Sequence, residues 1–122
     1  MIVNRTTPAR ILPLVFFCHW LNRFSFNAIA GAIDGTPGLA GLKIALAPTA
    51  EKLHSGIASL LEMYGHAAVA ISILTPQLEE MKRLARSLRN DFGSRVTILA
   101  GGAHPTACAA EVLREIADVV FV

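Results

Sequence analysis

The sequence predicts an α/β fold, a doubly wound parallel five-stranded sheet with helices on both faces. Short apolar runs alternate with stretches of helical spacing along all 122 residues. The connections between these segments are short, as in repeated strand–helix–strand units. Hydrophobic residues make up 53% of the chain and charged residues 16%, which is typical of parallel strands that are buried on both faces.

The first half of the chain predicts two strands and two helices. Strand 1 covers 11–17, and a helical pattern over 24–33 then stops at the turn cluster 34–38. Strand 2 covers 43–47 and ends at Pro48. The second helix covers 50–64 with Gly65 as its C-cap. One stripe of that helix is apolar: Leu53, Ile57, Leu60, Leu61 and Tyr64.

The second half continues the alternation. Strand 3 covers 67–74, and Thr75-Pro76 then supplies the N-cap and first residue of a third helix that ends at Gly93. Strand 4 covers 96–100, a fourth helix capped by Thr106 covers 107–116, and strand 5 covers 118–122. The inward positions of the third helix are Leu78, Met81, Leu84, Ala85, Leu88 and Phe92.

These elements predict one domain over 1–122 with the flavodoxin-like (Rossmann-like) strand order 2-1-3-4-5. A doubly wound domain ordinarily continues from its last strand into a further helix, which this sequence lacks. We therefore expect the chain to be truncated from a longer polypeptide. The bare edge and face of strand 5 predict self-association.

Charge and hydropathy argue against a nucleic-acid surface, a membrane span and a secretory signal. The formal charge is +2, and the basic residues of the third helix share it with Glu79, Glu80 and Asp91. This mixture favours a solvated helix face over a nucleic-acid surface. The apolar run 11–18 is far shorter than the roughly 20 residues of a membrane span. Pro13 and the polar residues after position 18 argue against a secretory signal, so we expect a cytoplasmic protein.

The strongest candidate site follows strand 4. Gly101-Gly102 leaves bare backbone at the carboxyl end of a buried strand, where open α/β sheets bind ligands. Ser72 and Thr75 end strand 3 at the same edge, although helix capping by itself would explain Thr75. His104 lies in the loop after strand 4, and His19 follows strand 1 as a lone candidate metal ligand.

Several kinds of site are absent from the sequence. No G-x-G-x-x-G follows strand 1, and no G-x-x-x-x-G-K-[ST] or nucleophile elbow occurs. The two cysteines, Cys18 and Cys108, have no paired spacing that would indicate a disulfide framework or a metal cluster. No acid–base constellation stands out, so the chain is interpreted as a binding module rather than a complete catalyst.

The stretches Ala-Ile-Ser-Ile-Leu-Thr-Pro over 70–76 and Gly-Gly-Ala-His-Pro-Thr over 101–106 resemble the N-terminal cobalamin (B12)-binding domain of B12-dependent radical SAM proteins. The resemblance covers roughly residues 10–122. Within it, the Gly-Gly-x-His-Pro-Thr motif is the part that is specific to the family. In that family a Gly-Glu-Gly-Glu-like loop and a radical SAM domain with a C-x-x-x-C-x-x-C motif follow. This chain stops before both, and its two cysteines cannot supply the motif.

The resemblance implies a cobalamin-binding module of, or truncated from, a radical SAM enzyme that transfers a methyl group. The 4Fe–4S cluster and S-adenosylmethionine belong to the partner domain. The implied cofactor-binding residues are Ser72, Thr75, Gly101, Gly102, His104 and Thr106. Other cobalamin domains carry D-x-H-x-x-G after strand 1. His19 aligns with that cobalt-ligating histidine, but Phe17 and Asn22 stand at the Asp and Gly positions.

Two other functions stay open at the level of sequence. A flavodoxin-like flavin carrier would have a loop rich in Ser, Thr and Gly after strand 1, whereas this chain has Cys-His-Trp-Leu-Asn over 18–22. A ligand-free interaction domain, a remnant that pairs through its strand 5 edge, would need no site at all.

Overall fold

The computed structural model describes residues 11–17, 31–32, 35–39, 41–102 and 107–121. Within these ranges five parallel strands form one sheet in the order β2-β1-β3-β4-β5, which confirms the predicted fold class and order. The strands are β1 (Leu12–Phe17), β2 (Leu42–Ala47), β3 (Ala67–Ser72), β4 (Val96–Gly101) and β5 (Val119–Val120).

Helix α1 spans Ala50–Tyr64, as predicted. Thr49 begins it, because its side chain accepts a hydrogen bond of 3.1 Å from the Lys52 N–H. Gly65 ends it in the left-handed region, with φ of 80°, and its N–H donates to the Leu61 carbonyl. Glycine adopts this conformation without the Cβ clash of other residues, which is why the sequence identified this C-cap correctly.

The segment between β3 and α2 (Leu78–Phe92) differs from the prediction. Strand β3 ends at Ser72 rather than at residue 74, and a 3-10 turn over Thr75–Gln77 precedes the helix. Thr75 is therefore not the N-cap of the helix. Leu74 occupies the N-cap position of the turn, and its N–H is held by the Gln77 side chain. A proline inside the first turn is compatible with either arrangement, so the sequence did not separate them.

The last helix and strand are shorter than predicted. Helix α3 spans Ala109–Glu115 with Cys108 at its N-cap position, and the predicted cap Thr106 lies outside the described residues. Strand β5 begins at Val119 rather than at 118. The Asp118 side chain explains this, because its Oδ2 accepts from the Ile98 N–H at 2.8 Å and from Arg89.

The hydrophobic core lies on the face of the sheet that the three helices cover. Its strand residues alternate along β1, β3 and β4, as one face of a strand requires. The two long helices contribute most of the predicted apolar positions to the core, whereas Leu60, Tyr64, Leu78 and Phe92 are only partly buried. The largest fully buried side chains include Leu53, Ile57, Ile73, Met81, Leu88 and Ile98.

Carboxylates of neighbouring elements neutralise part of the basic face of α2. Lys82 Nζ lies 2.8 Å from Glu115 and 3.4 Å from Glu111, so it ties α2 to α3. The hydrogen bond from Lys82 lowers the pKa of Glu115 and raises the pKa of Lys82 itself. Arg89 in turn bonds Asp118 and the Val96 carbonyl. The predicted solvated helix face is thus engaged in part by residues of its own fold.

The predicted first helix over 24–33 falls largely outside the described residues, as do residues 18–30 as a whole. Gly31 and Ala32 are helical, and their carbonyls accept from the Gly35 N–H and the Thr36 hydroxyl. Among the residues that the structure describes, no helix has both the length and the hydropathy of a membrane span.

Candidate functional site

The exits of β3 and β4 lie side by side at the carboxyl edge of the sheet. Ser72 and Gly101 are register partners. One residue later, the Ile73 N–H donates to the Gly101 carbonyl over 2.8 Å, which holds the two departing chains together. Ser72 and the two glycines therefore lie at one edge of the sheet, and Thr75 follows in the turn after β3; that they bind a ligand stays a prediction.

Gly102 is the most constrained residue of this edge. Its φ is 109°, a conformation that side-chain-bearing residues rarely adopt. A Cβ at this position would lie 3.0 Å from the Ile73 carbonyl oxygen and 3.0 Å from Ser72 Oγ. The fold itself therefore requires a glycine here, because the backbone leaving β4 lies in direct contact with Ser72 and Ile73 at the exit of β3.

Gly101 has a different environment. A Cβ there would meet only Phe121 Cβ, at 3.8 Å, which is ordinary van der Waals contact. The described residues thus explain why position 102 is a glycine, whereas they give no packing reason for a glycine at position 101. A tight turn that needs one glycine therefore does not account for both members of the pair.

The loop after β3 forms the second wall of the edge. Thr75 and Pro76 are exposed, whereas Gln77 is buried, with 7% of its surface accessible. Gln77 Oε1 accepts from the Leu74 N–H at 3.1 Å, which fixes the path of the loop. Sequence reasoning missed this residue, because a glutamine after a proline at the start of an amphipathic helix ordinarily faces solvent.

The described part of this edge is electrically neutral. Residues 72–77 and 101–102 include hydroxyl, amide and backbone groups but no ionisable side chain. They can donate and accept hydrogen bonds, whereas they hold no group for general acid–base catalysis. Such a surface suits a large polar ligand that brings its own reactive centre.

The other predicted site residues are not located by the structure. His104 and Thr106 fall in 103–106, and His19 falls in 18–30, both outside the described residues. In the part of the chain that is described, no three His, Cys, Asp or Glu side chains are arranged to hold a metal ion. These three residues remain predictions of the sequence.

His54 contacts both Ser87 and Asp91, but the geometry excludes a catalytic triad. The same nitrogen, Nε2, lies 2.9 Å from Ser87 Oγ and 3.3 Å from Asp91 Oδ2. A triad needs the serine and the carboxylate on opposite nitrogens of the imidazole. Here Nδ1 lies 2.9 Å from the Ala50 carbonyl of the same helix. The cluster therefore links α1 to α2.

A cavity of about 320 Å³ lies between α2 and α3. Arg89, which lines it, bonds the carbonyl of Val96, the first residue of β4, and Asp118, which precedes β5. The cavity therefore lies at the amino-terminal edge of the strands. It is separate from the glycine-lined edge, which is where a doubly wound sheet ordinarily binds ligands.

Comparison with known families gives one match. The model of the B12 binding domain matches residues 38–122, which include Ser72, Gln77 and both glycines. No curated protein and no solved structure matches the chain.

Proposed function

The chain belongs to the B12-binding domain family, and from that premise we propose that it binds cobalamin at the carboxyl edge of β3 and β4. The observation that carries the proposal is the exit of β4, where Gly102 is required by the fold while the described residues give no packing reason for a glycine at position 101. Membership of the B12-binding domain family and a neutral edge of the sheet inside the matched region support the same ligand.

The residues present fit a cobalamin. The molecule is large, and its periphery carries amide groups, which match hydroxyl, amide and backbone partners better than charged ones. Ser72 and Thr75 would hold it from the β3 side, and Gly101 and Gly102 from the β4 side. His104 and Thr106 complete the proposed set from the following loop. Bound cobalamin supplies a cobalt centre that exchanges an alkyl group or electrons, while the protein positions it and excludes water.

The wider role that we propose is a module of a B12-dependent radical SAM enzyme that transfers a methyl group. Its support is the resemblance of residues 70–76 and 101–106 to that group. The 4Fe–4S cluster and S-adenosylmethionine would then be held by a radical SAM domain in cis or in trans, and we place the assembly in the cytoplasm. His19 as lower cobalt ligand is part of this proposal, and the spectrum of the bound cofactor tests it.

Retention of cobalamin tests the proposal. Purified chain is incubated with hydroxocobalamin, desalted, and examined by visible absorbance and size exclusion. We expect about one equivalent of cobalamin to elute with the protein. Flavin mononucleotide, the cofactor of the flavodoxin-like alternative, is the control ligand and should separate from the protein on the same column.

The same retention assay has outcomes that contradict the proposal. A folded, monodisperse chain that retains no hydroxocobalamin contradicts the proposal and favours the ligand-free interaction domain. Retention of the flavin with loss of the cobalamin favours the flavin carrier. If cobalamin is retained, a spectrum without histidine coordination removes His19 from the site and leaves the rest of the proposal in place.

A further inference from the structure

Among the residues that the structure describes, Gln77 is the one polar residue that is buried. The other buried residues of the described core are hydrophobic. It ends the 3-10 turn Thr75–Gln77, directly after the exit of β3. The residue therefore lies within the loop that forms one wall of the proposed cobalamin site, a position that the sequence pattern did not indicate.

The two ends of its amide have different surroundings. Oε1 accepts from the Leu74 N–H at 3.1 Å. Nε2 has less than 1 Å² of accessible area and meets no hydrogen-bond partner within the described ranges. A buried donor without an acceptor destabilises a fold, and native proteins contain few of them. The folded chain uses the acceptor half of this side chain and leaves the donor half unused.

A glutamine at this position differs from a glutamate by the N–H donor, since either side chain would accept from the Leu74 N–H. The neighbouring site residues offer hydroxyl and backbone groups, and Gln77 adds a neutral N–H donor without adding charge to a neutral edge. The amide carbonyls and the phosphodiester of cobalamin are acceptors for such a donor.

We propose that Gln77 is a cofactor-binding residue whose Nε2 donates to an acceptor oxygen of bound cobalamin. This inference rests on the proposed function. Because the nitrogen is almost inaccessible in the folded chain, this hydrogen bond requires Nε2 to become accessible when cobalamin binds. Gln77 is then satisfied at both ends in the bound state and at one end in the unbound state.

Two variants test the inference by separating affinity from stability. Gln77→Met keeps the length of the side chain and removes the donor, so its dissociation constant for hydroxocobalamin should rise roughly tenfold. Its apo form loses the unsatisfied Nε2 donor, which stabilises the fold, and leaves the Leu74 N–H without its acceptor, which destabilises it. Because these two changes oppose each other, the thermal midpoint without cofactor should stay within about 3 °C of the original chain. Asn90→Ala removes an exposed amide of α2 far from the site and is the matched control.

Gln77→Glu keeps an acceptor for the Leu74 N–H and removes the donor when the carboxyl is ionised. Its affinity should be low at pH 7.5 and should recover as the pH falls, because a protonated carboxyl again donates, while the original chain shows no such recovery. This variant keeps the test available even where Gln77→Met fails to fold.

Three results overturn the inference. Unchanged affinity in Gln77→Met, with the original chain binding cobalamin, overturns it alone. A large drop in apo stability that accounts for the lost affinity overturns it as well, since that is the signature of a structural residue. An original chain that retains no cobalamin overturns both this inference and the proposed function.

Discussion

Replacing Gly102 by alanine is expected to lower the free energy of unfolding by about 3 kcal/mol and the thermal midpoint by about 10 °C. The φ of 109° is strained for any residue with a Cβ. The added methyl would also meet the Ile73 carbonyl oxygen at 3.0 Å, and a strand-exit backbone cannot yield cheaply. The chain leaving β4 would have to move away from β3, so cobalamin retention should fall too. Urea unfolding and the desalting assay measure the two effects.

Two matched glycine variants show whether the effect belongs to this position. Gly56→Ala lies in α1 with open space around its Cβ and should keep or raise stability, because alanine is the better helix former. Gly101→Ala should change the free energy of unfolding by less than about 1 kcal/mol, since its Cβ has room, yet weaken cobalamin binding. A Gly102→Ala chain as stable as the original would contradict the close contact between the exits of β3 and β4.

Replacing Asp118 by alanine is expected to lower the free energy of unfolding by about 1–2 kcal/mol. Most of this loss comes from the part-buried Ile98 N–H, which donates to Asp118 at 2.8 Å and would have no partner in the variant. The ion pair with Arg89 contributes less, because 44% of the Asp118 side chain is exposed and solvent screens the charges. Glu62→Ala on exposed α1 surface is the control and should leave the midpoint unchanged.

The pH dependence of this contact has a definite sign. Burial raises the pKa of Asp118, but hydrogen bonds from Arg89 and Ile98 and the charge of Arg89 together lower the pKa below its ordinary 3.8. A depressed pKa in the fold means that the contribution is present above pH 3.8 and is lost as the pH falls through the lower folded value. The stability difference between Asp118→Asn and the original chain should therefore shrink in acid. A stability difference between the two chains that stays constant as the pH falls well below 3.8 would contradict a depressed pKa of Asp118.

Periodicity was enough to predict the order of strands and helices along the chain, because apolar runs and helical stripes are properties of local sequence. The strand order in the sheet followed from the doubly wound fold class that this alternation indicates. Periodicity could not predict the ends of elements where one side chain captures a backbone group across the fold. Asp118 looks like the start of a strand, but its bonds to Ile98 and Arg89 place it before β5. Residues 73 and 74 continue the apolar run of β3, yet Ile73 bonds to Gly101 and Leu74 bonds to the Gln77 side chain.

The candidate site was predictable in place and only partly in detail. Ser72, Thr75, Gly101 and Gly102 could be assigned to one edge because parallel strands end together. The separate reasons for the two glycines could not be read from the sequence, since they depend on how closely β3 and β4 exits approach. Gln77 was missed for the same reason, because its burial is a property of tertiary packing.

Backbone amide NMR of the chain with and without hydroxocobalamin tests most directly where the cofactor lies. The predicted result is that the largest chemical-shift changes cluster at Ser72, Leu74, Gln77, Gly101 and Gly102. Amides at the opposite edge of the sheet, such as those of Asn90 and Arg114, should change least. Retained cobalamin with its largest changes at Asn90 and Arg114, and none at the two glycines, would contradict the proposed site.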